Sequence, residues 1–206
     1  SSIVGPQFIV ATGGTPCSGA IVCTDYKVHT FTGPGTFCVT QAGTACGSNT
    51  VDYLVIAGAG SGGGGAAGGG GAGGYRESPG TASGSYTVSP RGAAPAVALS
   101  VPATGYPITV GAGGAAVTES PGNKGLVGSN SVFSTITGAG GGFGAAGTGP
   151  VPQNGGTGGS GGGGGYDVGC AVRQGGAGNT PPTNPVQGTA GGDASGPLYA
   201  GGGGGG

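Results

Sequence analysis

Long runs of glycine decide what this chain can become. They span residues 58–74, 138–149, 155–165, 175–178 and 201–206, interrupted mostly by alanine, serine and threonine. Glycine has no side chain to bury and the most backbone freedom to lose. Ordering one residue costs roughly 1–2 kcal/mol, with glycine at the expensive end. Such runs are either disordered or held by backbone hydrogen bonds and close lateral packing.

Charge favours packing. The chain carries 60 glycines and 15 prolines in 206 residues, a content typical of disorder. Disordered chains, however, are rich in charge and poor in apolar residues. Here only 5% of residues are charged and the net charge is −1. A chain this neutral packs into something or assembles with copies of itself. The same neutrality speaks against nucleic acid as a partner, since nothing neutralises a row of phosphates. No apolar stretch approaches the roughly 18 residues of a membrane span, so membrane insertion is not expected. Ser1-Ser2-Ile3-Val4-Gly5-Pro6 lacks the basic start and apolar core of a signal peptide, so export by the usual signal-peptide route is not expected.

Residues 1–57 read as a β-rich module. Residues 21–31 are dense in β-branched and aromatic side chains, Gly33-Pro34-Gly35 makes a turn, and residues 36–40 give a second strand. This predicts a hairpin. Residues 51–57 are the most continuously apolar stretch and predict a central, buried strand. Beyond residue 58, shorter strand-like pieces occur at 86–88, 96–101, 106–110 and 131–137. No stripe of helical period occurs, and glycine propensity defeats a helix in the runs.

The runs lack the Gly-X-Y period of collagen. The conformation that suits them is the polyproline-II type, with three residues per turn and about 3.1 Å rise. Bare rods of this kind pack closely enough to hydrogen-bond sideways, satisfying otherwise orphaned amides and carbonyls. Residues 58–74 as one rod would span roughly 50 Å. The expected fold is therefore an N-terminal β module over 1–57 and a polyglycine-II sandwich with display loops over 58–206, without α-helix. Alanine and serine within the runs belong at the slab faces.

Side-chain chemistry is sparse. Cys17, Cys23, Cys38, Cys46 and Cys170 are present. Four of them within thirty residues suggest two disulfides with three possible connectivities, and proximity favours Cys17–Cys23 and Cys38–Cys46. The spacings fit no common zinc finger and only one histidine exists, so no metal is expected. Gly58-Ala59-Gly60-Ser61-Gly62-Gly63 after a strand satisfies the G-x-G-x-x-G pattern. That fingerprint needs a helix to follow and meet the pyrophosphate. More glycine follows instead, so no nucleotide cofactor is expected. His29 sits mid-strand with no carboxylate nearby in sequence and reads as a satisfied strand histidine. The acids Asp25, Asp52, Glu77, Glu119, Asp167 and Asp193 are scattered, and no enzyme is expected.

The candidate binding residues end glycine runs: Tyr75, Arg76, Tyr166, Asp167, Arg173 and Gln174. Tyrosine and arginine are favoured anchors, and loops on a rigid scaffold commonly carry recognition. The plain alternative is that each tyrosine merely caps a slab edge.

Several segments together resemble the glycine-rich domain of phage virion proteins. They are Asp25-Tyr26-Lys27-Val28-His29-Thr30-Phe31-Thr32-Gly33-Pro34-Gly35-Thr36-Phe37; Val51-Asp52-Tyr53-Leu54-Val55-Ile56-Ala57-Gly58 running into polyglycine; Gly71-Ala72-Gly73-Gly74-Tyr75-Arg76; Tyr106-Pro107-Ile108-Thr109-Val110-Gly111-Ala112-Gly113-Gly114; and Gly128-Ser129-Asn130-Ser131-Val132-Phe133. The style is also similar to the polyglycine-II tip adhesins of T-even-like phages. The resemblance implies a non-enzymatic virion surface protein: a tail-fibre, adhesin or exterior decoration subunit. Its implied partners are copies of itself, with a trimer favoured, other virion proteins and a host cell-surface receptor. The four clustered cysteines depart from the family pattern. The competing readings are a self-assembling extracellular fibre or matrix protein and an ice-binding protein.

Overall fold

The computed structural model of the chain describes residues 5, 7–22, 26–80, 88–92, 94–118, 122–147, 154–167, 169, 171–195 and 199–206. Among them none is α-helical. The regular elements are short strands: β1 (Val10–Thr12), β2 (Ala20–Val22), β3 (Tyr26–Val28), β4 (Gly35–Gln41), β5 (Thr50–Val51), β6 (Leu54–Ile56), β7 (Tyr75–Glu77), β8 (Leu99–Ser100), β9 (Gly105–Thr109), β10 (Ser131–Phe133) and β11 (Ile136–Gly138). All pairings between them are antiparallel.

The largest sheet has the order β1-β4-β9-β10-β11. Its strands come from both sides of residue 57. β4 alternates as a half-buried strand should: Phe37 and Val39 face inward and their neighbours outward. They meet Ala11 from β1 and Val101, with Tyr106, Ile108 and Phe133 packed around them. The Phe37 and Phe133 rings meet edge to face at 5.8 Å, and Tyr106 and Phe133 at 6.1 Å. Full burial of one such ring stabilises by about 1.5–3 kcal/mol. His29 is satisfied, with Nδ1 2.8 Å from the Gly13 carbonyl and its ring edge-on to Phe37.

Three local expectations are corrected. Residues 21–31 do not form one arm of a hairpin with 36–40. The segment folds on itself as β2 against β3, and β4 pairs with β1 and β9 instead. Ile21, Val22 and Val28 stay exposed on this two-stranded ribbon, so no burial of apolar side chains ties the segment to β4. Residues 51–57 are not a central buried strand. They split into β5 and β6, and β6 forms a two-stranded sheet with β7. Val55 is buried, whereas Leu54 and Ile56 are more than half exposed, so the run of apolar residues conceals an alternating strand. Residues 131–137 are not one strand but the hairpin β10–β11, reversed at Ser134 with φ 53°. The piece at 106–110 is β9, that at 96–101 shrinks to β8, and residues 86 and 87 lie outside the described ones.

Cys17, Cys38 and Cys46 are free thiols. Cys38 lies within β4, opposite Thr12 and Gly105. Cys23 and Cys170 lie outside the described residues.

Apart from Gly138 at the end of β11, the described residues of the glycine runs carry no strand, yet their backbones bond from run to run in steps of three. The amides of residues 57, 60 and 63 donate to the carbonyls of 74, 71 and 68. Those of 58, 61 and 64 donate to 129, 126 and 123, and the carbonyls of the same three accept from 141, 144 and 147. The stretch 58–74 is thus not a single rod. It reverses after Gly65, at φ +78°, so that its two halves satisfy each other's backbone.

The run 160–165 lies at the centre of this lattice. It bonds to 68–74, 139–147, 154–158, 173–179, 187–194 and 201–206, and is buried throughout. A β-carbon on Gly161, Gly162, Gly163 or Gly165 would lie within 2.0 Å of a carbonyl oxygen in a neighbouring run. Glycine is required there for room. Ala59 and Ala72 do sit at an open face, but Ala145 and Ser160 are wholly buried. The Ser160 hydroxyl lies 2.7 Å from the Gly73 carbonyl and 2.8 Å from that of Gly205, joining three runs.

Candidate functional site

The bonding directions fix where the connections between runs fall. The run 57–64 is antiparallel to 68–74 and 122–130 and parallel to 111–118 and 139–147. Following the bonds onward, successive runs alternate in direction through to 201–206. The links 64–68, 118–122, 147–154, 165–173 and 194–201 therefore start and finish at one end of the lattice. The links 74–111, 130–139 and 178–188 lie at the other end, with the sheets. The two groups of candidate residues are separated accordingly. Tyr166, Asp167, Arg173 and Gln174 are brought together at the loop end, and Tyr75 and Arg76 lie on β7 at the sheet end.

At the loop end, Arg173 Nη2 donates to Asp167 Oδ2 at 2.5 Å. The Gly169 amide donates to Asp167 Oδ1 at 3.0 Å. That amide first, and then Arg173, hold the Asp167 carboxyl below its ordinary range. The pair pins the turn 167–173, and Arg173 continues into the lattice through paired backbone bonds with Ala194. Asn154 Oδ1 accepts from the Gln174 amide, and the Tyr166 amide donates to the Ala66 carbonyl. Neighbouring links are thus fastened to one another. Val172 and Tyr199 stand 58% and 66% exposed here, large apolar surfaces on a fixed frame. A hollow of about 440 Å³ opens elsewhere at this end, between Val117, Thr118, Asn123 and Lys124. The Lys124 ammonium lies 4.5 Å above the Phe143 ring.

At the sheet end, Tyr75 and Arg76 belong to a polar buckle. Ser78, fully buried, accepts from the Tyr53 amide and donates to Asp52. Ser89 donates to the buried Glu77. Burial foremost, then the Glu77 carboxylate, raises the Tyr75 phenol above its ordinary value. Burial likewise raises Tyr53, with Arg76 opposing. The Tyr75 amide donates to the carbonyl of Gln187, a fully buried side chain that sequence reasoning passed over. Gln187 Oε1 accepts from the Ala139 amide and its Nε2 donates to the Pro181 carbonyl, each at 2.8 Å. Tyr199 was likewise passed over. Its signal is a tyrosine bordering a glycine run, which it precedes where Tyr75 and Tyr166 follow theirs.

Among the described residues no cluster of histidine, cysteine and acidic side chains could hold a metal ion. No curated protein and no solved structure matches the chain. A family model described as a glycine-rich domain matches residues 31–206, taking in the run lattice and all strands from β4 onward, and the chain belongs to that glycine-rich domain family.

Proposed function

We propose that the protein is a non-enzymatic virion structural protein, a tail-fibre, adhesin or exterior decoration subunit that attaches to a host surface through the loop end. The observation that carries the reading is the alternation of the runs, which gathers five links at one end of a frame held by backbone bonds. Recognition favours such an arrangement: variable loops on a rigid support. The repeat of three in the bonds matches the three residues per turn of polyproline II, which supports treating the runs as polyglycine-II helices. Tyr166, Val172 and Tyr199 would supply contact area, and the Asp167–Arg173 pair would keep the turn shaped for it. The sheet end would face the rest of the particle in a homo-oligomer, with a trimer favoured. The test replaces residues 167–172 by a glycine-serine linker in particles carrying the chain. Host adsorption should vanish while particles still assemble. Unchanged adsorption defeats the assignment.

A second reading, a self-assembling fibre, draws on the open face where Ala59, Gly62, Gly202 and Gly205 are exposed and carry nothing larger than a methyl group. Exposed edges of bonded backbone are templates for association. Purified chain that grows filaments with rising concentration would favour this reading over the first.

A further inference from the structure

A second cleft lies in the sheet region, away from the loop end. Its walls are the turn 13–15 and the segment 30–36, tied by the Thr15 amide donating to the Thr30 carbonyl at 2.8 Å. Its volume is about 330 Å³, at the small end of the roughly 300–1,000 Å³ usual for small-molecule sites. The cleft is built by close approach of backbone. A β-carbon on Gly13 would lie 2.1 Å from the Thr36 carbonyl oxygen and 3.2 Å from the Phe31 ring. Both Gly13 and Gly14 also adopt positive φ, at +117° and +76°. Residues 13–15 precede the stretch matched by the family model, so this chain supplies one wall of its own.

The lining side chains are Thr15, Thr30, Thr32, Thr36, Phe31 and Pro34, none of them charged. None of the four threonine hydroxyls bonds another group among the described residues. All four threonines are exposed, so their hydroxyls are open to a ligand from solvent. Each hydroxyl can both give and accept a hydrogen bond. Free hydroxyls around an aromatic ring, in a cleft without charge, match a ligand of the same character: many hydroxyls, one apolar face and no ionic group. We propose that this cleft binds a neutral saccharide, with room for a mono- or disaccharide. It does not depend on the loop-end reading, since the two sites share no residue.

Gly33 provides the test. It lines the cleft, a β-carbon there has no atom within 4 Å, and its φ is not positive. Gly33→Trp should therefore fold and fill the cleft. The intact chain would be probed on an array of neutral glucose, galactose and mannose oligosaccharides beside sialylated and sulfated ones, with amide shifts followed by NMR. Neutral sugars should bind and shift residues 13–15 and 30–36. Gly33→Trp should weaken binding by about tenfold or more, and Thr32→Ala, at an exposed position, should weaken it less. Three results would overturn the proposal: binding only of charged sugars, no binding of neutral ones, or neutral binding that survives Gly33→Trp in a chain with unchanged circular dichroism.

Discussion

The sheet around Phe37 and the lattice around residues 160–165 are both buried, and they are held by opposite means. The sheet core takes large rings and aliphatic side chains out of water, so its cohesion scales with apolar area. The lattice centre has almost no side chains to bury. Backbone bonds in several directions satisfy its amides and carbonyls, and the close approach those bonds require excludes a β-carbon at Gly161, Gly162, Gly163 and Gly165. A cavity is the hazard in the first region and an added methyl is the hazard in the second. Removing atoms should hurt the sheet, and adding them should hurt the lattice.

The largest expected effect is in the sheet. Phe37→Ala removes a ring that packs on His29, Tyr106 and Phe133 at once. It should cost about 3–5 kcal/mol in chemical denaturation, as for other buried rings. A cost below about 1 kcal/mol would mean that the lattice alone carries the fold. Next comes Gly163→Ala. Its β-carbon would lie 2.0 Å from the Gly201 carbonyl oxygen, and that neighbour is backbone and cannot swing away. The cost should reach the upper end of overpacking, about 3 kcal/mol. If Gly163→Ala is neutral, the packing account of the lattice fails even if the bonds are real.

The two regions also differ in how much of them the sequence discloses. Strand character at 106–110 follows from local β-branched and aromatic side chains, and β9 forms there. The partner of β4 does not follow, because Phe37 pairs with Tyr106, far along the chain, and no local turn marks that choice. The alternation that exposes Leu54 and Ile56 depends on which neighbour β6 acquires. In the lattice, the reversal at Gly65 is invisible among glycines, which carry no side-chain pattern to mark a turn. The loop-end group was legible because Tyr166, Asp167, Arg173 and Gln174 are close in sequence. Gln187 was not, because its partners Ala139 and Pro181 identify themselves only in the fold.

Gln187 sits where the two regions join, so it sharpens the comparison. Gln187→Leu keeps the bulk and leaves the buried Ala139 amide without its acceptor. The cost should be about 1–3 kcal/mol, the penalty of an orphaned buried donor. Gln187→Glu keeps an acceptor for Ala139 but loses the donor to Pro181, and at neutral pH adds a buried charge. If Leu proves harmless, the joint is held by packing and the polar staple is incidental.

A pH experiment probes the loop end. The Asp167 carboxyl is held low, so its contribution to order is fully present above the ordinary carboxylate range, about pH 4. It is lost as pH falls through the lowered folded-state value. Protection of the amides at 166–173, taken relative to the intrinsic exchange rate at each pH, should therefore stay constant from neutrality down to about pH 4 and fall only below it. Asp167→Asn should lower that protection at every pH, with little change in global stability. A loss of protection beginning near neutrality would show that another group governs the turn.

The smallest expected effect is the most discriminating partner to Gly163→Ala. Gly202 lies in the same lattice, in a run of the same composition, at an exposed position with no atom within 4 Å of a β-carbon. Its φ is not in the left-handed range. Gly202→Ala should stay within about 0.5 kcal/mol of the parent. It should even stabilise slightly, because alanine leaves the unfolded chain less freedom to lose. The contrast of one methyl at two glycines separates room from flexibility. If the runs need glycine for its backbone freedom, both substitutions should cost alike. If they need it because neighbouring carbonyls occupy the β-carbon position, only Gly163 should suffer.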